Sequence, residues 1–223
     1  MPIAWNTAVL TALVIAVIGT DFGVEQTEAA EPLIDQRSEP VPLVPPAPEP
    51  IPITYSPDQQ DAIDWAISRF EMVGLDVPEA EIHFYPTAES CGHHDGLYEQ
   101  IDGRHVLSIC VRDGSSAHVT MFRRRTVAHE LAHAWEHENL DERDREDLMT
   151  LLDTEVWYSA DVEWKDRGGE RLAETIVWGL FDQRNRPVLV DQPCHEMHRD
   201  FIEITGHTAL GPFENFCSPD TFG

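Results

Sequence analysis

At 223 residues, with 15 Lys+Arg against 41 Asp+Glu and a formal charge of -26, the chain lacks the basic footprint that a phosphate backbone demands, which excludes nucleic-acid binding. The acidity runs along the whole length; it favours solubility and leaves the chemistry open. Once an N-terminal stretch of different character is set aside, the remainder suits one ordinary domain with one core.

Residues 1–30 read as an export segment. No charged side chain lies between Pro2 and Thr20, and AVLTALVIAVIG forms a continuous run of apolar and small residues ending before Asp21. The run has the length of a signal-peptide core and falls short of the ~20 apolar residues of a full membrane span, so a cleaved signal is favoured over an uncleaved anchor. Residues 31–56 carry a proline every few positions with acidic residues between them, the composition of an extended, semi-rigid linker. Residues 57–223 are expected to form the folded domain. Its place is then secreted or on the extracellular face of a membrane, with the membrane reached only through the N-terminal segment.

A first helix is expected from Ser56-Pro57 onward, where Ile63, Trp65, Ala66 and Phe70 recur at helical spacing. EIHFY (81–85) and VLSICV (106–111) are short and rich in β-formers and read as strands around a polar loop, which includes His93-His94-Asp95 between two glycines. From about Val119 the chain turns helical through VTMFRRRTVAHELAHAWEHEN, then ERDREDLMTLLD, then GERLAETIVWGLFD, and lastly 194–204. Arg123-Arg124-Arg125 is expected to pair with acidic neighbours such as those at 141–147. The four cysteines contain no Cys-x-x-Cys pair and suit disulfides better than a thiolate metal site, with Cys91–Cys110 and Cys194–Cys217 as the preferred pairs among three possible connectivities.

The chemistry is concentrated in His129-Glu130-Leu131-Ala132-His133. Residues four apart share one helical face with Cβ atoms about 6 Å apart, so His129 and His133 can direct imidazole nitrogens at one ion, and Glu130 is placed as general base toward a water. The flanks from Thr126 to Trp135 contain no Pro or Gly, as a continuous helix requires. His137 lies about 12 Å along the axis from His129 at 1.5 Å per residue and is expected at the surface. A catalytic zinc takes three protein ligands, so another must come from elsewhere. In the helix from Gly168, Glu170 and Glu174 are one turn apart above an apolar face of Leu172, Ala173, Ile176, Val177 and Leu180.

Over 129–181 the chain resembles the gluzincin metallopeptidases, in which a second helix supplies a glutamate ligand from an ExxAE-like motif. The metzincin alternative fits less well, because Asn139 stands where its third histidine is expected and Glu136 where its glycine is. The resemblance implies an α+β, zincin-like fold, mainly helical, with a small antiparallel sheet or hairpin before the active-site helix. It implies Zn2+ held by His129, His133 and Glu170, with Glu174 orienting a histidine ligand. Hydrolysis of a peptide or protein substrate by a monomeric enzyme follows, with Glu130 as base. An oxyanion donor is also needed; Tyr158 is nearest in sequence, and His195, His198 and His207 are the alternatives. Two other readings are a non-catalytic binding module on the same fold and a zinc hydrolase of cell-wall amides.

Overall fold

The computed structural model of the chain describes residues 53–111, 114, 116–181 and 192–211. The export segment, most of the proline-rich linker and Cys217, hence the expected Cys194–Cys217 bridge, lie outside the described residues.

Helix α1 (Pro57–Met72) starts where Ser56 accepts from the Gln59 amide while the Gln59 side chain accepts from the Ser56 amide, a reciprocal cap, and Pro57 supplies a preset first turn. Its inner face, Ala62, Ile63, Ala66 and Phe70, is buried as the spacing requires. Strands β1 (Ala80–Phe84), β2 (Gly96–Ile101) and β3 (Arg104–Ile109) follow, then α2 (Ala117–Asn139), α3 (Glu142–Leu151), α4 (Gly168–Leu180) and α5 (Cys194–Thr205). Short 3-10 turns lie at Ala88–Cys91 and Trp164–Asp166. The described residues therefore form a mixed α+β arrangement with a small three-stranded sheet, and none of their helices is long and apolar enough to cross a membrane.

The sheet order is β1-β3-β2, with β1 parallel and β2 antiparallel to β3. An antiparallel hairpin does precede α2, but β2 and β3 form it; the two strands expected from sequence, β1 and β3, pair in parallel, so the sheet is mixed rather than antiparallel. β2 falls in the stretch expected to be a polar loop. As an edge strand it exposes most of its residues, so its hydrophobic alternation is faint. Its turn is plainer: Asp102 and Gly103 both have positive φ (51° and 77°) and link the paired Ile101 and Arg104, the two-residue Asp-Gly connection that fits the twist of a hairpin. The Cys91–Cys110 disulfide forms as expected. It joins the segment before β2 to the end of β3, while the Cys110 amide donates to Asp95 O at 2.7 Å.

The core lies between the inner face of α1, the sheet, α2 and α4. Phe70, Leu107, Leu131, Ile176 and Phe201 are among its largest fully buried members. Helix α5 closes one end by laying Phe201 over Gly179 of α4, where an added Cβ would stand 2.1 Å from the ring. Since Phe201 is itself fully buried, it cannot swing away. Gly179→Ala gains about 1 kcal/mol of helix propensity, but the clash outweighs it, as overpacking costs about 1–3 kcal/mol. Thermal unfolding should record a lower Tm for this variant than for the parent chain; an unchanged or higher Tm would contradict the packing described.

Candidate metal centre

Helix α2 is buried on both sides through its second half, and its two histidines meet α4 there. His129 Nε2 and His133 Nε2 are 3.2 Å apart, and Glu170 Oε2 lies 3.1 Å from the first and 3.2 Å from the second. Three donors thus converge on one point. A tetrahedral ion held at about 2.0–2.1 Å separates its ligand atoms by about 3.3–3.4 Å, close to the triangle observed. Two imidazole nitrogens and a carboxylate oxygen facing one another without other partners suit a cation, and this group can hold a metal ion; no other such cluster of three occurs among the described residues.

Further groups pack behind the two histidines. Glu174, fully buried, places Oε1 3.0 Å from His129 Nδ1, a close charge contact off the line of a hydrogen bond, and the same oxygen accepts from the Arg125 guanidinium. His133 Nδ1 meets the Tyr158 hydroxyl at 3.1 Å and Glu136 Oε2 at 3.5 Å, while Tyr158 donates to Glu136 Oε2 at 2.6 Å. With the tyrosine hydrogen directed at Glu136, its oxygen is left to accept from Nδ1–H, so Nε2 of His133 faces the triangle and offers a lone pair there once its proton is displaced. Glu136 also accepts from Trp157 Nε1 at 2.7 Å and lies 3.3 Å from Arg145 Nε. The Trp164 ring stacks on His129 at 5.7 Å between centroids.

Electrostatics follow from this crowding. Burial pushes the Glu130 carboxyl up, against the lowering effect of the two histidines. Burial also opposes charge on Glu170, Glu136 and Glu174, yet histidine contacts hold all three below the usual carboxylate range, with Tyr158 and Trp157 assisting Glu136 and Arg125 assisting Glu174. Desolvation works against protonated His133, but Glu136 and Glu170 outweigh it and carry the imidazole up to about 10 in the metal-free protein. His129 moves up in the same way, through Glu170 and Glu174. The Tyr158 residue is 53% exposed, but desolvation of its hydroxyl against the site and the Glu136 charge drive the phenol up.

A pH dependence follows. Because its folded value lies above the ordinary 6.5, protonated His133 stabilises the metal-free fold fully below pH 6.5, and that contribution is lost as the pH rises through about 10. Metal must displace the same proton, so binding at pH 7 should release protons and tighten as the pH rises. Calorimetric titration of metal-free protein in buffers of differing ionisation enthalpy measures this; a binding heat independent of buffer would refute it.

A cavity of about 510 Å³ opens over the triangle, bounded by Gly96, Leu97 and Tyr98 of β2 on one side and by Trp164 and Arg167 before α4 on another. Glu130 and Gly96 are in intimate contact. A Cβ at Gly96 would fall 2.2 Å from Glu130 Oε1, so only glycine leaves room for the carboxylate beneath the edge strand. Tyr98 packs its ring against His133 at 6.3 Å and bonds His105 Nδ1 at 2.9 Å.

The residues expected from sequence as ligands, base and histidine support, His129, His133, Glu170, Glu130 and Glu174, are brought together. Tyr158 is also present, but on the Nδ1 side of His133. His195, His198 and His207 do not line the cavity. His137 is exposed at its edge, and His94 reaches the cavity from its loop. The arginine cluster pairs differently from expectation: Arg124 forks onto Asp61 of α1 at 2.9–3.1 Å, Arg125 meets Glu174, and Arg123 is buried with one nitrogen 3.4 Å from Gly114 O. Helical phase explains this, since consecutive residues point in different directions and only one of the three can face outward toward α1. Glu136, Arg125 and Gly96 were missed. The first two stand one turn beyond His133 and one turn before His129 on the same stripe, a signal available in the sequence; Gly96 becomes visible only when β2 is placed.

Compared with known protein families, curated proteins and solved structures, the chain matches none.

Proposed function

We propose that the chain is a zinc-dependent metallopeptidase of gluzincin type, with His129, His133 and Glu170 as zinc ligands and Glu130 as general base. The carrying observation is the three-donor triangle with 3.1–3.2 Å edges, next to a buried carboxylate that takes no part in it. Zinc bound there would supply Lewis acidity toward a water and a carbonyl oxygen. Glu130, its carboxyl raised by burial, accepts a proton from the attacking water and returns it to the departing amine. Glu174 and the Tyr158–Glu136 pair hold the two imidazoles in the tautomer that directs Nε2 forward, which makes Tyr158 a positioning residue for His133. β2 bounds the cavity as an edge strand, a surface against which an extended peptide can lie. The Cys91–Cys110 disulfide is consistent with an oxidising, extracellular location, as a secreted or surface-tethered enzyme requires.

Incubating the full chain, metal-free and zinc-loaded, with a peptide library tests the reading. Cleavage is expected in the zinc-loaded arm alone. Cleavage undiminished by chelation, or a chain that never takes up zinc, overturns it.

A further inference from the structure

The cavity wall carries a cation that the hydrolytic chemistry does not use. Arg167 ends the segment leading into α4, and its position is fixed at two points: a bridge to Val156, in which the Gly168 amide donates to Val156 O at 2.8 Å, and its own Nε donating to Val162 O at 3.0 Å. The last bond fixes the guanidinium plane. Neither of its terminal nitrogens has a partner among the described residues, and the side chain is half-buried at the cavity. This is unusual in so acidic a chain. Arg104, Arg124, Arg125 and Arg199 each meet a carboxylate. Arg145 lines the same cavity and ion-pairs there with Glu136 through Nε at 3.3 Å, and its terminal nitrogens meet no carboxylate among the described residues.

We infer that Arg167, with Arg145 as a second guanidinium on the same cavity, recognises a carboxylate group of the substrate, so that the preferred peptides carry an acidic side chain or a free C-terminus. A half-buried guanidinium with two parallel N–H groups matches a carboxylate bidentately, and partial exclusion of water strengthens the pair. The global charge of -26 repels such substrates at long range but is screened over about 8–10 Å, leaving the choice to the local contact. The inference rests on the peptide-substrate reading above and names the substrate class of that site.

The test uses the full chain carrying Glu130→Gln, loaded with zinc, and fluorescent peptides followed by anisotropy at fixed ionic strength. A single Glu is moved along an otherwise uncharged sequence and compared with Gln, and each peptide is made as free acid and as C-terminal amide. A carboxylate in the matching position should tighten binding by about ten- to a hundredfold. The Glu/Gln pairs and the acid/amide pairs identify which source is read. Adding Arg167→Gln should bring that ratio close to one, Arg167→Glu should invert it, and Arg167→Lys should retain part of it. A general structural defect would weaken charged and neutral peptides alike and leave the ratio intact. No carboxylate preference in any pair, or a preference that survives Arg167→Gln, overturns the inference. If zinc-loaded wild-type chain cuts none of the peptides while the Arg167-dependent ratio persists, the hydrolase reading fails and the inference stands; cleavage without a ratio does the reverse.

Discussion

Glu130→Gln should cut peptide hydrolysis by about 10²–10⁴-fold, the usual contribution of a positioned acid or base, while zinc content and fold remain as in the parent chain. The substitution is isosteric and Glu130 is no part of the ligand triangle, so neither the 3.1–3.2 Å donor edges nor the packing under Gly96 has reason to change. Only the ability to take up a proton is removed. Single-turnover cleavage alongside metal analysis separates the possibilities. A Gln variant as active as wild type would eliminate Glu130 as base, whereas loss of activity together with loss of zinc would show that it supports the metal instead.

Removing a member of the triangle should act in the opposite way. Glu170→Ala leaves the two histidines 3.2 Å apart with no carboxylate to complete the set, and both zinc binding and activity are expected to fail together. The loss should exceed the roughly 10–100-fold decrease in affinity expected when only the partner of a ligand is changed, as in Glu174→Gln. The glutamine is the better choice at 174, since alanine would leave Arg125 buried beside a void at a cost of about 3–5 kcal/mol. Stability supplies an independent readout. At a thousandfold excess of zinc over Kd the parent fold gains about 4 kcal/mol, and its Tm should fall on chelation. The Glu170→Ala chain should melt at the same temperature with and without chelator; a zinc-dependent Tm in that variant would remove Glu170 from the ligand set.

Much of this site was legible because helices encode geometry in spacing. HELAH commits two imidazoles to one face, and the Glu170/Glu174 pair, one turn apart, could reach them only from a second packed helix. The apolar stripe on α4 and the capping signal at Ser56-Pro57 carried equal information. The sheet was less transparent. β1 and β3 announce themselves by apolar content, but their parallel pairing depends on where the hairpin between them folds, and β2 owes its position to partners on β3 rather than to its own composition. Long-range pairs were hidden for the same reason. Nothing in Arg124 names Asp61, and nothing in Tyr158 states that its hydroxyl meets Glu136 behind a histidine instead of facing a substrate.

The bridge between Cys91 and Cys110 encloses β2 and β3, and with them the wall that holds Gly96 over Glu130. Closing a loop of 19 residues removes about 3 kcal/mol of freedom from the unfolded chain. The edge strand has few apolar residues of its own to compensate for losing that constraint. Chain made in a reducing cytoplasm would therefore retain its helices and its three metal donors, yet present a loosened rim to the substrate. Zinc content alone would then be a poor guide to whether a preparation is competent, and thiol titration would be the better assay of quality.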